Sequence, residues 1–133
     1  MASNVDIMRT ALAAFNDRDG AGFDALLDQR AEIVPVRAVL EGTTFRGPDA
    51  ASQYCAAIEA SWEQLRWEVE EIRDLGSRVI ALGHIQGRGR DSGAAIDATG
   101  AWVADLRDGL ITRFQTYSDR AKALEDVGLS PSG

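Results

Sequence analysis

Ala95-Ile96-Asp97-Ala98-Thr99-Gly100-Ala101-Trp102-Val103-Ala104-Asp105-Leu106-Arg107-Asp108-Gly109-Leu110-Ile111-Thr112-Arg113-Phe114-Gln115-Thr116-Tyr117 reads as two long strands around a two-residue turn. Asp-Gly is the chemistry of a tight hairpin, because both residues tolerate positive φ. Upstream, residues 78–90 form another strand. Val79, Ala81, Gly83 and Ile85 lie on one of its faces, and Ile80, Leu82 and His84 on the other. Both faces are apolar in its first half, so both need a cover. Before it, residues 65–73 alternate Leu65, Trp67, Val69 against Arg66, Glu68, Glu70, the pattern of a half-solvated antiparallel strand. Leu75-Gly76-Ser77 turns the chain between the two.

The N-terminal half reads differently. Ser3 and Asp6 form a capping box ahead of Val5, Met8, Leu12 and Phe15 at helical spacing. The segment 17–20 breaks that helix, and Phe23, Leu26 and Leu27 make a short second one. Ile33, Val34 and Val36 form a short strand around Pro35, which favours an edge or a bulge. Gly47-Pro48-Asp49 opens a third helix with Pro48 in its first turn and Tyr54, Ile58, Trp62 and Leu65 on its apolar face. At the far end Ser118 caps a last helix carrying Ala121, Leu124 and Val127, ended by Gly128. Only helices are available to cover the apolar face of such a sheet. The expected class is α+β: a curved antiparallel sheet wrapped around N-terminal helices, forming a cone with a central cavity.

Composition bounds the function. A chain of 133 residues favours one domain, and 45% apolar with 26% charged residues is an ordinary globular balance. The net charge of −7 argues against nucleic acid or an anionic membrane as partner. Cys55 is the single cysteine, which excludes an intrachain disulfide and a thiol-based metal cluster. No metal and no cofactor are implied. The first residues show no leader pattern and no apolar run approaches a membrane span, so a cytoplasmic location is the expectation. Gly87, Gly89 and Gly93 do not match a dinucleotide fingerprint, because the spacing is wrong and a strand follows.

Several stretches together resemble the SnoaL-like branch of the nuclear transport factor 2-like superfamily, the cystatin-like α+β cone. They are Ala14-Phe15-Asn16 through Phe23-Asp24-Ala25-Leu26-Leu27, Phe45-Arg46-Gly47, and residues 62–70. Gly87-Arg88-Gly89-Arg90-Asp91-Ser92-Gly93, Leu106-Arg107-Asp108-Gly109-Leu110-Ile111 and residues 117–124 complete the set. The resemblance implies one such domain over residues 1–129 and a flexible tail at 130–133. It leaves activity open, because the superfamily holds isomerases, epoxide hydrolases, polyketide cyclases and non-catalytic binders. The isomerase base falls at Val34 before Pro35, its tyrosine near Ala11 and its protonated acid near Trp102. The epoxide hydrolase set falls near Gly83, Ile85 and Thr116, and the cyclase acid near Thr116. None of these residues can do the family's chemistry.

The same alignment directs Val34, Val36, Val79, Ala81, Gly83, Ile85, Trp102, Phe114 and Thr116 into the cone, with Tyr54, Ile58 and Trp62 closing it. The expected ligand-binding set is Val34, Val36, Tyr54, Ile58, Trp62, Gly83, Ile85, Trp102, Phe114 and Thr116, a lining that suits a small apolar molecule. His84, the only histidine, falls on the outer face, as do Asp97 and Asp105. Tyr54 is the best polar handle inside, and Cys55 reads as a small buried hydrophobe. Ile80, Leu82, Ala101, Val103 and Ile111 share the outer face, an apolar patch that predicts a homodimer through that face. SnoaL-like proteins are commonly dimers of this kind. Two alternatives stand beside small-molecule binding. One is an isomerase, polyketide cyclase or epoxide hydrolase-type enzyme using Tyr54 with His84 or Thr116. The other is a dimeric structural module whose own side chains fill the cone.

Overall fold

The computed structural model describes residues 2–36 and 44–129, so the tail expected at 130–133 lies outside the described residues. In chain order it contains helices α1 (Asn4–Asn16) and α2 (Gly20–Asp24), strands β1 (Leu27–Val34) and β2 (Phe45–Arg46), and helix α3 (Ala50–Ser61). Strands β3 (Trp62–Asp74), β4 (Arg78–Gly89), β5 (Ala95–Arg107) and β6 (Leu110–Tyr117) follow, then helix α4 (Arg120–Asp126). The strands make one curved, open sheet in the order β2-β1-β6-β5-β4-β3. All neighbours are antiparallel except β1 and β6, which run parallel. Helices α1, α2 and α3 pack on the inner face, giving the expected α+β cone.

Local chemistry explains most boundaries. Ser3 Oγ accepts the Asp6 N–H at 3.1 Å while the Asp6 carboxylate accepts the Ser3 N–H at 3.3 Å, the expected capping box. At the other end of α1, Arg18 takes the left-handed conformation (φ 55°) and Asp19 N–H returns to Ala14 O at 2.8 Å. The Arg18 guanidinium lies 4.6 Å over the Phe15 ring and donates to Phe15 O and Leu65 O, fixing the helix end against β3. The β5–β6 turn has Asp108 at φ 55° and Gly109 at φ 77°, the geometry expected of Asp-Gly. Gly128 (φ 81°) ends α4, with Leu129 N–H bonded to Leu124 O at 2.8 Å.

Several elements differ from the sequence reading. Leu27 opens β1 instead of extending the second helix, and Pro35 follows the last residue of β1 instead of sitting within a strand. Pro48 precedes the N-cap Asp49, whose side chain makes no cap bond. Asp24 of α2 does that work: its carboxylate accepts the N–H groups of Ala51 (2.9 Å) and Ser52 (3.1 Å) and the Ser52 hydroxyl. Trp62 and Leu65 leave the third helix for β3. Trp62 is already extended (φ −122°, ψ 129°), because pairing with Gly89 satisfies its strand where a further helical turn would not. Asp119, not Ser118, caps α4 by accepting Lys122 N–H at 3.2 Å.

Two of the sheet's register shifts change which side chains face inward. Between Asp105 and Leu106 the pairing of β5 with β6 shifts by one residue. Ile111 therefore turns into the inner core instead of joining Arg113 and Gln115 outside. A second shift at Val69/Glu71 brings Ile72 to the inner core beside Val69. Here Gly83 lies under the β3 backbone: a Cβ on it would sit 1.9 Å from Glu68 O.

The outer apolar patch is covered by the chain itself. Ile80, Leu82, Ala101 and Val103 are buried with Tyr117 under Ala123 and Leu124 of α4. The Tyr117 hydroxyl donates to Asp126 Oδ2 at 2.9 Å, and Lys122 Nζ lies 3.2 Å from Asp126 Oδ1. Burial, then the bond to Asp126, pushes the Tyr117 phenol up to about 12. The bond from Tyr117, with help from Lys122, holds the Asp126 carboxyl below its ordinary value.

Three outcomes are expected. Asp24→Ala costs about 1–2 kcal/mol, read as a lower urea midpoint, because two N–H groups of α3 and a hydroxyl lose their acceptor. Gly83→Ala costs about 2–3 kcal/mol in the same assay, since the added methyl meets backbone that cannot swing away. Unfolded Tyr117 ionises near 10 and folded Tyr117 near about 12, so its share of stability declines as pH rises across that interval. Tyr117→Phe melts lower at neutral pH and shows a shallower alkaline decline between about pH 10 and 12. Parallel alkaline curves would show that the phenol does not hold α4.

Candidate functional site

The inner face of the sheet is built by alternation. Val79, Ala81 and Ile85 of β4, Trp102 and Ala104 of β5, and Phe114 of β6 all belong to one buried cluster with Tyr54 and Ile58 of α3. Gly100, next to Trp102, leaves room that a Cβ would take: it would lie 2.7 Å from Ile85 Cγ1 and 3.1 Å from the Trp102 ring. Rings dominate this interior. Phe15 stacks on Trp67 with centroids 3.5 Å apart, and Trp67 lies 5.4 Å from Trp102, 5.8 Å from Phe114 and 6.2 Å from Tyr54. Phe45 lies 5.7 Å from Tyr54, and Phe23 meets Phe114 edge-on at 5.3 Å.

Of the expected lining residues, Tyr54, Ile58, Gly83, Ile85, Trp102, Phe114 and Thr116 are buried on this side, and Val36 joins the same cluster. Val34 does not. Ile33 takes the inward position opposite Phe114, while Val34 is half-buried opposite Gln115. Trp62 is half-buried at the corner of α3 and β3, where Arg90 Nη2 donates to its carbonyl at 3.2 Å. Trp67 is the tryptophan at the centre. Its alternation with Leu65 and Val69 was the signal for it, and a helical reading of Trp62 drew attention to the wrong ring. Phe15, the other half of the central stack, is legible only as a core residue of α1.

Three polar atoms enter this apolar space. Trp102 and Thr116 face each other directly across the β5–β6 ladder and are 0% and 4% exposed. Trp102 Nε1 and Thr116 Oγ1 have no hydrogen-bond partner among the described residues. Burial pushes the Tyr54 phenol well above its ordinary value, against a smaller lowering from the Thr116 hydroxyl. Cys55 is pushed up to about 11 by burial, so it is a neutral thiol at physiological pH. Among the described residues no aspartate, glutamate, histidine, lysine or arginine is buried.

The ionisable groups lie outside. His84 Nε2 is 2.8 Å from Glu70 Oε1, with the imidazole 43% exposed on the outer sheet face. Asp97 is exposed, and Asp105 pairs with Arg78 at 2.6 Å beside α4. A cleft of about 420 Å³ runs between α1 and β3, lined by Arg9, Asn16, Glu68 and Glu70 among others. Another of about 660 Å³ lies by Arg30, Arg78, Asp105 and Arg107. Both are open and charged, and the Arg78–Asp105 pair lies in the second. Among the described residues the buried polar side-chain atoms without a partner are Trp102 Nε1 and Thr116 Oγ1 inside the cone and Arg120 Nε on α4 outside it.

No curated protein matches this sequence. Solved structures do match its fold. An NTF2-like protein from Burkholderia thailandensis superposes with a TM-score of 0.80 at 22% identity, over 90% of this chain and 92% of that one. TerC, co-crystallised with polyporic acid, gives 0.74 at 21% identity, over 93% and 97%. A protein of ketosteroid isomerase-like fold from Catenulispora acidiphila, in complex with trimethylamine, gives 0.76 at 18% identity, over 98% of both chains. No helix among the described residues is long and apolar enough to cross a membrane. With a SnoaL-like domain model matching residues 8–114, the chain belongs to the SnoaL-like family.

Proposed function

We propose that this protein binds a small apolar molecule inside the cone, among Tyr54, Trp67, Trp102 and Phe114. One observation carries the reading: Trp102 Nε1 and Thr116 Oγ1, on residues paired across β5 and β6, are buried without hydrogen-bond partners among the described residues. Each such atom costs about 1–3 kcal/mol, a penalty that an all-apolar core of the same shape avoids. A core selected for stability alone has no reason to keep both. Two of the similar structures hold an organic molecule, one polyporic acid and the other trimethylamine. Those occupants differ in kind, so they support the use of this fold as a container and do not select a ligand. The absence of a buried carboxylate or imidazole among the described residues favours binding over acid–base chemistry. The crowding of rings limits the occupant to one or two small rings that slip between side chains.

The homodimer through the outer sheet face remains a proposal. Helix α4 takes the apolar part of that face, so a second copy would rest on the polar strip of His84, Gln86, Asp97 and Thr99.

Titration with naphthalene tests the binding reading. Saturating naphthalene raises the melting temperature and quenches tryptophan emission, as expected for a ligand that binds only the folded state. His84→Ala, on the outer face, leaves both effects unchanged. If neither naphthalene nor smaller rings move either signal, the rings are simply the core of a self-filled module.

A further inference from the structure

Outside the cone, we propose that the cleft of about 660 Å³ beside Arg30, Arg78 and Arg107 is a binding site for a small phosphate monoester. Strand pairing explains how the cleft is built. Thr112 of β6 is skipped by both neighbouring strands. Toward β5 the register passes from Asp105↔Arg113 to Leu106↔Ile111, which leaves Thr112 without a counterpart. Toward β1 it passes from Leu27↔Ile111 to Glu32↔Arg113, five steps on β1 against two on β6, so β1 carries three extra residues there. Irregularities of this kind re-aim side chains and are over-represented beside functional sites. Both of these open onto the same cleft, which takes Arg30 from β1, Thr112 from β6, and Leu106 and Arg107 from β5. The Asp28 carboxylate steadies the β1 excursion by accepting the Arg30 N–H at 2.9 Å.

Charge gives the cleft its chemistry. Arg30 and Arg107 are exposed, and among the described residues neither guanidinium takes part in an ion pair. Arg78 is held in place by Asp105 Oδ1 at 2.6 Å and by Asp126 O at 3.3 Å. Asp28 is then the remaining lining carboxylate, set against two guanidiniums with no carboxylate of their own. In a chain of net charge −7 this is a local excess of cations. A guanidinium fork matches two oxygens of an anion. One fork saturates a planar carboxylate, whereas arms from β1, β4 and β5 suit the three free oxygens of a phosphate monoester. Phosphate alone does not fill the space. Leu106 is buried and Leu75 and Val127 are half-buried in the same lining, an apolar floor for the organic part of the ester. This site does not rest on the binding reading for the cone.

Calorimetric titration at neutral pH and fixed ionic strength tests it, with phenyl phosphate, inorganic phosphate and benzoate. Phenyl phosphate is expected to bind about tenfold more tightly than either of the others, since only it uses both the guanidiniums and the floor. Arg30→Gln and Arg107→Gln each weaken phenyl phosphate about tenfold, the scale of a lost charge-assisted hydrogen bond. Both variants melt close to wild type, because neither side chain supports the fold through an ion pair. Arg9→Gln removes an exposed arginine from the cleft between α1 and β3 and leaves phenyl phosphate affinity unchanged.

An affinity that survives both Arg30→Gln and Arg107→Gln, or that falls as far in Arg9→Gln, overturns the site. Benzoate binding as tightly as phenyl phosphate overturns the assignment to phosphate. Inorganic phosphate binding as tightly overturns the ester and gives the cleft to free phosphate. Absence of binding by all three overturns the proposal and leaves the naphthalene result untouched.

Discussion

Trp67 is the contact on which the rest of the cone depends. Its ring stacks on Phe15 of α1 and lies against Trp102 of β5 and Phe114 of β6, so one side chain joins the first helix to three strands. Its backbone is held as firmly as its ring. The Asn16 side chain donates to Trp67 O at 2.9 Å and accepts Trp67 N–H at 2.9 Å, as a neighbouring strand would. Strand β3 is one edge of the sheet, opposite β2. Asn16 at Trp67, Arg18 at Leu65 and Arg90 at Trp62 occupy polar groups that an exposed edge would otherwise offer to another chain. The same contacts close the edge and anchor α1 over the interior.

A sheet that is apolar on both faces needs two covers, and this chain supplies both. The N-terminal helices fill the concave side. Helix α4, too short to be stable alone, lies on Ile80, Leu82, Ala101 and Val103 and is pinned by the Tyr117–Asp126 bond. The apolar outer residues are thus explained within one chain, without a second copy. The polar residues beyond α4, with His84 held by Glu70, form an ordinary solvated sheet face.

Much of this was legible from alternation. Strand phase sorted Trp102, Phe114, Ile85 and Thr116 from His84 and Asp97, because a period of two leaves a residue no third choice, and the family resemblance said which face was inward. The hairpin turn and the capping box were legible because their chemistry is local. The errors share one cause, which is that non-local pairing decided a local ambiguity. Trp62 fits a helical stripe and a strand equally, and its pairing with Gly89 chose the strand. Ile111 keeps outward parity until a bulge near Asp105 reverses it, and no residue type announces that bulge. Val34 loses its inward place to Ile33 because the strand stops before Pro35, so the alternation was counted from the wrong residue. The outer patch was read correctly as needing a cover. What was missed is that the last helix was long enough to provide it.

What sequence could not show is the state of the polar atoms inside. A tryptophan and a threonine on the inner face are unremarkable as residue types, since either can find a carbonyl to bond. Only coordinates show that the sheet ladder occupies the nearby backbone, and that neither Trp102 Nε1 nor Thr116 Oγ1 finds a partner among the described residues. Phenylalanine and valine at these positions would keep the packing and remove the penalty. The chain instead retains both, with the Tyr54 hydroxyl, in an otherwise apolar space, and no ionisable Asp, Glu, His, Lys or Arg side chain is buried among the described residues. Uncompensated polarity at the centre of a core lowers stability.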